Sequence, residues 1–325
     1  MAVQVSEGRA RTGVSGAIVA AVGPVGRGVR NFLRLALATT VGRIGITIVA
    51  IHLTLALIGT WLAPYSPTEF HLFPDYPEEH RLSPPTSDYL LGTDQFGRDL
   101  LSRMMSGARS LITMAVAGAA LGIALGTVVG MGSGYKGGRV DAVVMRVMDG
   151  LMSFPSLLLA LLVLTTLGSK AAPVDWLETL WQQLLIVVTI GIVSMPGVSR
   201  VTRSVTLSLK EMEFVQSARL RGEQAGYIIF REILPNAMPV LGVEASVRLS
   251  YSILLVASLG FLGLGVQPPS PDWGMMISES RGFLVFAPWL ALVPAAAIAS
   301  LVVGVNLLGD GLRQARGLVQ KREGL

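Results

Sequence analysis

Cysteine is absent from this chain of 325 residues. That excludes a disulfide framework, a thiolate metal site and a catalytic thiol. Charge is also scarce, at 14% of residues, where an average soluble domain carries about 25%. With 51% hydrophobic residues, the chain has too little charge and too much apolar surface to be disordered. The 37 glycines follow no strict period, which rules out collagen. Only four lysines accompany 22 arginines, against 21 acids, leaving a net charge of +5. No basic patch interleaved with aromatics is visible, so nucleic acid is not an expected partner. A phosphate-cradling loop is missing too. The nearest stretch, Gly134-Tyr135-Lys136-Gly137-Gly138, lacks the required spacing and hydroxyl. Three histidines occur: His52 alone in an apolar run, and His71 and His80 near Asp75, Glu78 and Glu79, in a spacing too loose for a metal site. No Ser/His/Asp grouping stands out.

What is present is apolar sequence, with a mean hydropathy of +0.60. A helix crossing the hydrocarbon core needs about 20 mostly apolar residues. Six runs qualify: Ile44 to Leu62, Ser110 to Met131, Val143 to Leu167, Leu184 to Val201, Met238 to Leu264 and Pro288 to Leu308. Each reads as helix, because an open strand edge in lipid leaves backbone groups unpaired. The fold class is therefore an all-α integral membrane protein with six transmembrane helices.

The cationic residues orient the spans. With the N-terminus in the cytoplasm, nineteen Arg and Lys fall on the cytoplasmic side and six on the other. Both termini are expected inside. The segment before the second span is acidic, with Glu69, Asp75, Glu78, Glu79, Asp88, Asp94 and Asp99. The division follows: an N-terminal tail at 1–43, a six-helix domain at 44–312 and a C-terminal tail at 313–325. Within the domain lie an extracytoplasmic segment at 64–106 and a cytoplasmic loop at 202–235. The short apolar patch Val14 to Val25 reads as part of the tail rather than a signal peptide, since Gly16, Gly23 and Pro24 break it.

Three features stand out. The loop between the fourth and fifth spans reads as two short helices, Leu209 to Arg221 closed by Gly222, and Tyr227 to Leu234, with Pro235 starting the next span. Phe214, Val215 and Ala218 share one side of the first helix, and that apolar side is expected to dock a partner. In the second span Gly118, Gly122, Gly126 and Gly130 recur every four residues, a stripe that lets another helix approach closely. In the fifth span Glu244 and Arg248 stand four apart on one helix face. They read as a self-neutralising pair or as contacts in a translocation pathway.

The loop resembles the EAA-type coupling loop of ABC-importer permeases. Gln216-Ser217-Ala218 falls at the family's Glu-Ala-Ala, Gly222 at its glycine and Leu234-Pro235 at its closing Leu-Pro. Gln216 and Ser217 depart from the pattern, and an ion pair from the leading acid is left to Glu213, one turn earlier. Glu232 stands at a place that is often apolar. Two further segments are similar to the C-type subunits of the dipeptide/oligopeptide (peptide/nickel) branch. They are Leu91-Gly92-Thr93-Asp94-Gln95-Phe96-Gly97-Arg98-Asp99-Leu100-Leu101-Ser102-Arg103, and Ser258 to Pro269 followed by Asp272-Trp273-Gly274.

The resemblance implies a type I ABC importer permease fold in a bacterial or archaeal plasma or inner membrane. It implies a homologous B-type permease partner, two cytoplasmic ATPase subunits that bind ATP and Mg, and an extracytoplasmic binding protein that delivers di- or oligopeptides. Membrane lipid surrounds the spans. No cofactor or catalytic site is expected in this chain. Coupling to the ATPase is assigned to Glu213, Phe214, Val215, Gln216, Ser217, Ala218 and Gly222. Alternative readings are the same machinery importing nickel, glutathione or another small solute, and an ion-coupled secondary transporter, which would need more buried charge than Glu244 and Arg248 supply.

Overall fold

A computed structural model describes residues 33–68, 81–168 and 178–322. Most of the tail at 1–43, with its patch at Val14 to Val25, and the histidines His71 and His80 lie outside the described residues. Among the described residues every regular element is helical, and β pairing is confined to an isolated bridge between Thr93 and Asp99.

Among the described residues five helices are long and apolar enough to cross a membrane, or six if one bent pair counts as a single span. They are α1 (Thr40–Leu62), α2 (Leu100–Lys136), α5 (Glu178–Leu209), α7 (Leu234–Phe261) with the turns before it, and α9 (Trp289–Arg322). Between them lie α3 (Gly138–Met152), α4 (Ser156–Gly168), α6 (Glu213–Leu220) and α8 (Trp273–Glu279).

The third expected span is broken. α3 and α4 meet at 96°. Phe154 precedes Pro155, and a residue before proline is pushed out of the helical region. α4 has 13 residues, so it is roughly 20 Å long and too short to cross the core alone. α3 is amphipathic and charged, and it lies against α5. There Arg203 pairs with Asp141 at 2.6 Å and Arg200 pairs with Asp149 at 2.6 Å.

Other boundaries shift as well. α5 runs on to Leu209, so the loop expected over 202–235 loses its first turns to a span. At its far end the expected second helix is no separate element. The turn Ala225–Tyr227, a π-helical stretch Ile228–Ile233 and α7 follow without a break. Pro235 sits in the first turn of α7 and lacks an N–H, which is tolerated there because early donors have no intrahelical acceptor. The segment at 64–106 gives up its last residues to α2, and helix α9 continues through Arg322 into the expected C-terminal tail.

The α2–α5 pair has the most extensive helix contact among the described residues. Gly118, Gly122, Gly126 and Gly130 of α2 lie against Ile190, Ser194, Val198 and Thr202 of α5, two rows with the same four-residue step. A Cβ on Gly122 would stand 2.7 Å from Ser194 Cβ, and one on Gly126 would stand 2.5 Å from Val198 Cβ. The absence of side chains brings the backbones close enough for Thr202 Oγ1 to donate to Gly126 O at 3.1 Å. Small residues serve this purpose in lipid, where helices gain nothing by hiding apolar surface from water. A second seam joins α1 to α9 through Gly42, Gly45, Gly304 and Gly311.

Substituting Leu for Gly122 or Gly126 is expected to force α2 from α5, at a cost of about 1–3 kcal/mol or more for each overpacked side chain. The yield of folded subunit and its thermal midpoint in detergent should fall in both variants. Gly150→Ala, whose new methyl meets nothing within 4 Å, should leave both unchanged.

Candidate functional site

The segment after α5 turns back on itself to form α6, and its geometry follows from its sequence. Met212 is extended, Glu213 provides an acid in the first turn, and Arg219 lies in the last. Both charges favour the helix dipole. The helix is closed by Gly222 at φ +78°. Gly222 N–H donates to Arg219 O at 2.9 Å and Glu223 N–H to Ala218 O at 3.2 Å. This is a Schellman closure, which needs a left-handed residue, and glycine takes it without strain.

The apolar side of α6 faces its own chain, which corrects the expectation that it docks a partner. Val215 and Ala218 are fully buried. They pack with Met131 of α2, Ile228 and Ile233 of the π-helical stretch, and Ala237 and Leu241 of α7. Phe214 is half-buried at the edge of the same cluster. Polar contacts add to this attachment: Lys210 Nζ donates to Gly134 O at 3.2 Å, the Arg219 guanidinium lies over the Tyr135 ring, and Arg221 pairs with Glu232 at 3.3 Å. The last contact gives Glu232, a departure from the family's sequence, a place in the structure. The exposed residues of α6 are Glu213, Gln216, Ser217, Arg219 and Leu220, with Leu220 89% exposed. Gln216 bonds back to Glu211 O at 3.0 Å.

Glu244 and Arg248 meet within α7, with Nε to Oε1 at 2.5 Å. The guanidinium lies on the bare Cα of Gly197 in α5, where a Cβ would come within 2.8 Å of Nη2. Arg248 also borders a cavity of about 440 Å3 between α4, α5 and α7, lined by Ser156, Ser194, Tyr251, Ser252 and Ser258 among others. The pairing was legible as an i, i+4 spacing. The seat at Gly197 was not, because no local signal ties that glycine to a residue 51 positions on.

At the other end of the bundle the motif around Asp94 forms a buried charge network. Asp94 accepts from the Phe96 and Arg98 N–H groups and from Arg98 Nε at 2.6 Å. Arg98 and Arg103 both reach Glu279 at the end of α8, at 3.6 and 3.4 Å. Asp99 caps α2 by accepting from Ser102 N–H at 2.8 Å. Gly92 and Gly97 take positive φ within the same turn. Trp273 at the start of α8 is buried, and its Nε1–H donates to Met104 O at 2.9 Å. The neighbouring Asp272 caps α8 through Met275 N–H at 2.9 Å and is packed against Gly260. Burial pushes its carboxyl up to about 6, partly offset by the N–H groups of Met275 and Gly274.

The binding-protein-dependent transport system inner membrane component family matches residues 122–316. A glutathione transport system permease protein of Pectobacterium atrosepticum is 38% identical over 287 residues, covering 88% of each chain. A dipeptide transport system permease protein of Alkalihalophilus pseudofirmus is 36% identical over 84% of each. A di/tripeptide transport system permease protein of Pseudomonas aeruginosa is 37% identical over 80% of this chain and 82% of its own. The chain belongs to this family of transport permeases.

Two outcomes follow from the site. Gly222→Val should strain the left-handed closure of α6 by about 1 kcal/mol or more, read as faster protease cleavage after Arg219 and Arg221 in the otherwise folded subunit. Asp272 has a raised carboxyl, so the folded state holds its proton up to pH of about 6. Its contribution to stability falls as pH rises from about 4 to about 6, then stays level. Asp272→Asn keeps the cap acceptor without the charge. Its thermal midpoint should exceed wild type at pH 7.5, and the difference should vanish toward pH 4.

Proposed function

We propose that this chain, as a member of that family, is one of two homologous permease subunits of an ATP-driven importer of short peptides. The observation that carries the reading is α6: a short helix fixed to three spans by its apolar side, with a polar face and Leu220 turned outward. Such an element can pass a rigid-body movement from a partner into the bundle. Glu213, Gln216, Ser217 and Leu220 form the surface offered to a cytoplasmic ATPase subunit. Phe214, Val215, Ala218 and Gly222 hold that surface in place. ATP and Mg belong to the two ATPase subunits, and an extracytoplasmic binding protein delivers the solute. The nineteen-to-six distribution of Arg and Lys supports a topology with α6 and both termini in the cytoplasm.

Peptide as the solute rests on the relatives named for dipeptide and di/tripeptide transport. The relative named for glutathione, itself a tripeptide, supports the same chemical class. An ion-coupled carrier is disfavoured by the Glu244–Arg248 pair, which leaves the membrane-buried acid neutralised.

Reconstitution of the four-subunit complex with its binding protein tests the reading. Uptake of dipeptides should require ATP on the α6 side, and uptake driven by an ion gradient without ATP would overturn it. Leu220→Asp should leave the subunit inserted and folded, but reduce recovery of the ATPase on the purified permease at least tenfold. Undiminished recovery would remove α6 from the docking surface.

A further inference from the structure

We propose that Arg248 is a carboxylate receptor in the translocation pathway, binding a carboxylate of the passing peptide in the cavity between α4, α5 and α7. The inference rests on the importer reading above and deepens it by naming the contact. Arg248 stands thirteen residues before the end of α7 at Phe261, about 20 Å along the helix axis, and so well inside the bilayer. A guanidinium at that depth is costly unless it is paired or faces water. Glu244 engages only Nε, through one oxygen at 2.5 Å. The two Nη groups lie over Gly197, and Arg248 is among the residues that line the cavity. Guanidinium nitrogens suit the two oxygens of a carboxylate, which accept parallel N–H bonds.

The surroundings agree with that use. The cavity of about 440 Å3 is lined by serines from three helices, Ser156, Ser194, Ser252 and Ser258, together with Tyr251 and four aliphatic side chains. Hydroxyls that share a cavity with a cation in a membrane span do not suit a lipid-facing wall, whereas they suit a path for a hydrated, zwitterionic solute. Ser252 is 1% exposed, and its hydroxyl has no hydrogen-bond partner among the described residues. Gly197 keeps the guanidinium seated, since any side chain there would displace it. Glu244 keeps the arginine neutralised when no solute is present, and an arriving carboxylate needs only to take the Nη edge. No proton moves and no bond is broken.

The test uses the chain's lack of cysteine. Ser156→Cys, exposed at the cavity rim, is labelled with a maleimide in the assembled complex without ATP. The probes are dialanine, dialanine amide and glutamyl-alanine amide, whose carboxylate is on the side chain. Dialanine should slow labelling at least threefold and dialanine amide should not, in complexes whose labelling without peptide is equal. The protection should disappear in Ser156→Cys with Arg248→Gln and Glu244→Gln, which removes the charges without leaving Glu244 unpaired. Protection by glutamyl-alanine amide would extend the receptor to side-chain carboxylates, and its absence would restrict it to the main-chain terminus. Equal protection by dialanine and its amide, protection that survives in the triple variant, or no protection at all would overturn the proposal. Because labelling needs neither ATP nor turnover, it separates this inference from the importer reading, which fails on ATP-dependent uptake.

Discussion

Everything in this bundle depends on how closely α2 and α5 approach. In lipid, apolar side chains gain little by leaving one helix surface for another, so association rests on backbone proximity, packing and hydrogen bonds between helices. Four glycines at a four-residue step provide that proximity, and Thr202 adds the hydrogen bond. The end of this pair nearest α6 supplies Met131 and Tyr135 from α2 and Val205 and Leu209 from α5 to the cluster under α6. Loosening the seam would therefore loosen the platform on which α6 rests.

The same pair organises the rest of the chain. α3 is held to α5 by Asp141 with Arg203 and Asp149 with Arg200. The elbow at Pro155 then turns α4 toward the cavity whose other walls are α5 and α7. At the far end, Asp99 caps α2, and Arg98 and Arg103 tie its start to Glu279. Trp273 adds an apolar and hydrogen-bonded anchor to the same helix. One helix thus connects the buried charge network at one end to the α6 platform at the other.

Much of this was legible in the sequence, for reasons that differ by element. Long apolar runs fix the spans because lipid leaves the backbone no alternative, and the four-residue glycine step names a packing face. The positive φ at Gly222 follows from a helix stop of known chemistry. The apolar stripe of α6 was readable as a stripe, but its direction was not. Phe214, Val215 and Ala218 look the same whether they face a partner or Met131 and Leu241, and only tertiary structure decides. The elbow between α3 and α4 was concealed by hydropathy averaged across Pro155. Gly197 beneath Arg248 has no local signature, since its reason is a guanidinium from a distant helix.

The central claim is that α6 moves as part of the α2–α5–α7 unit rather than on its own. Spin labels at Lys136→Cys and Met212→Cys, both exposed, would be unique in this cysteine-free chain. Their separation can be measured by pulsed electron paramagnetic resonance in the assembled complex, first without nucleotide and then trapped with ATP and vanadate. The account predicts the same distance distribution in both states. A displacement approaching one helical turn, about 5 Å, would show that α6 slides on its platform and would contradict it.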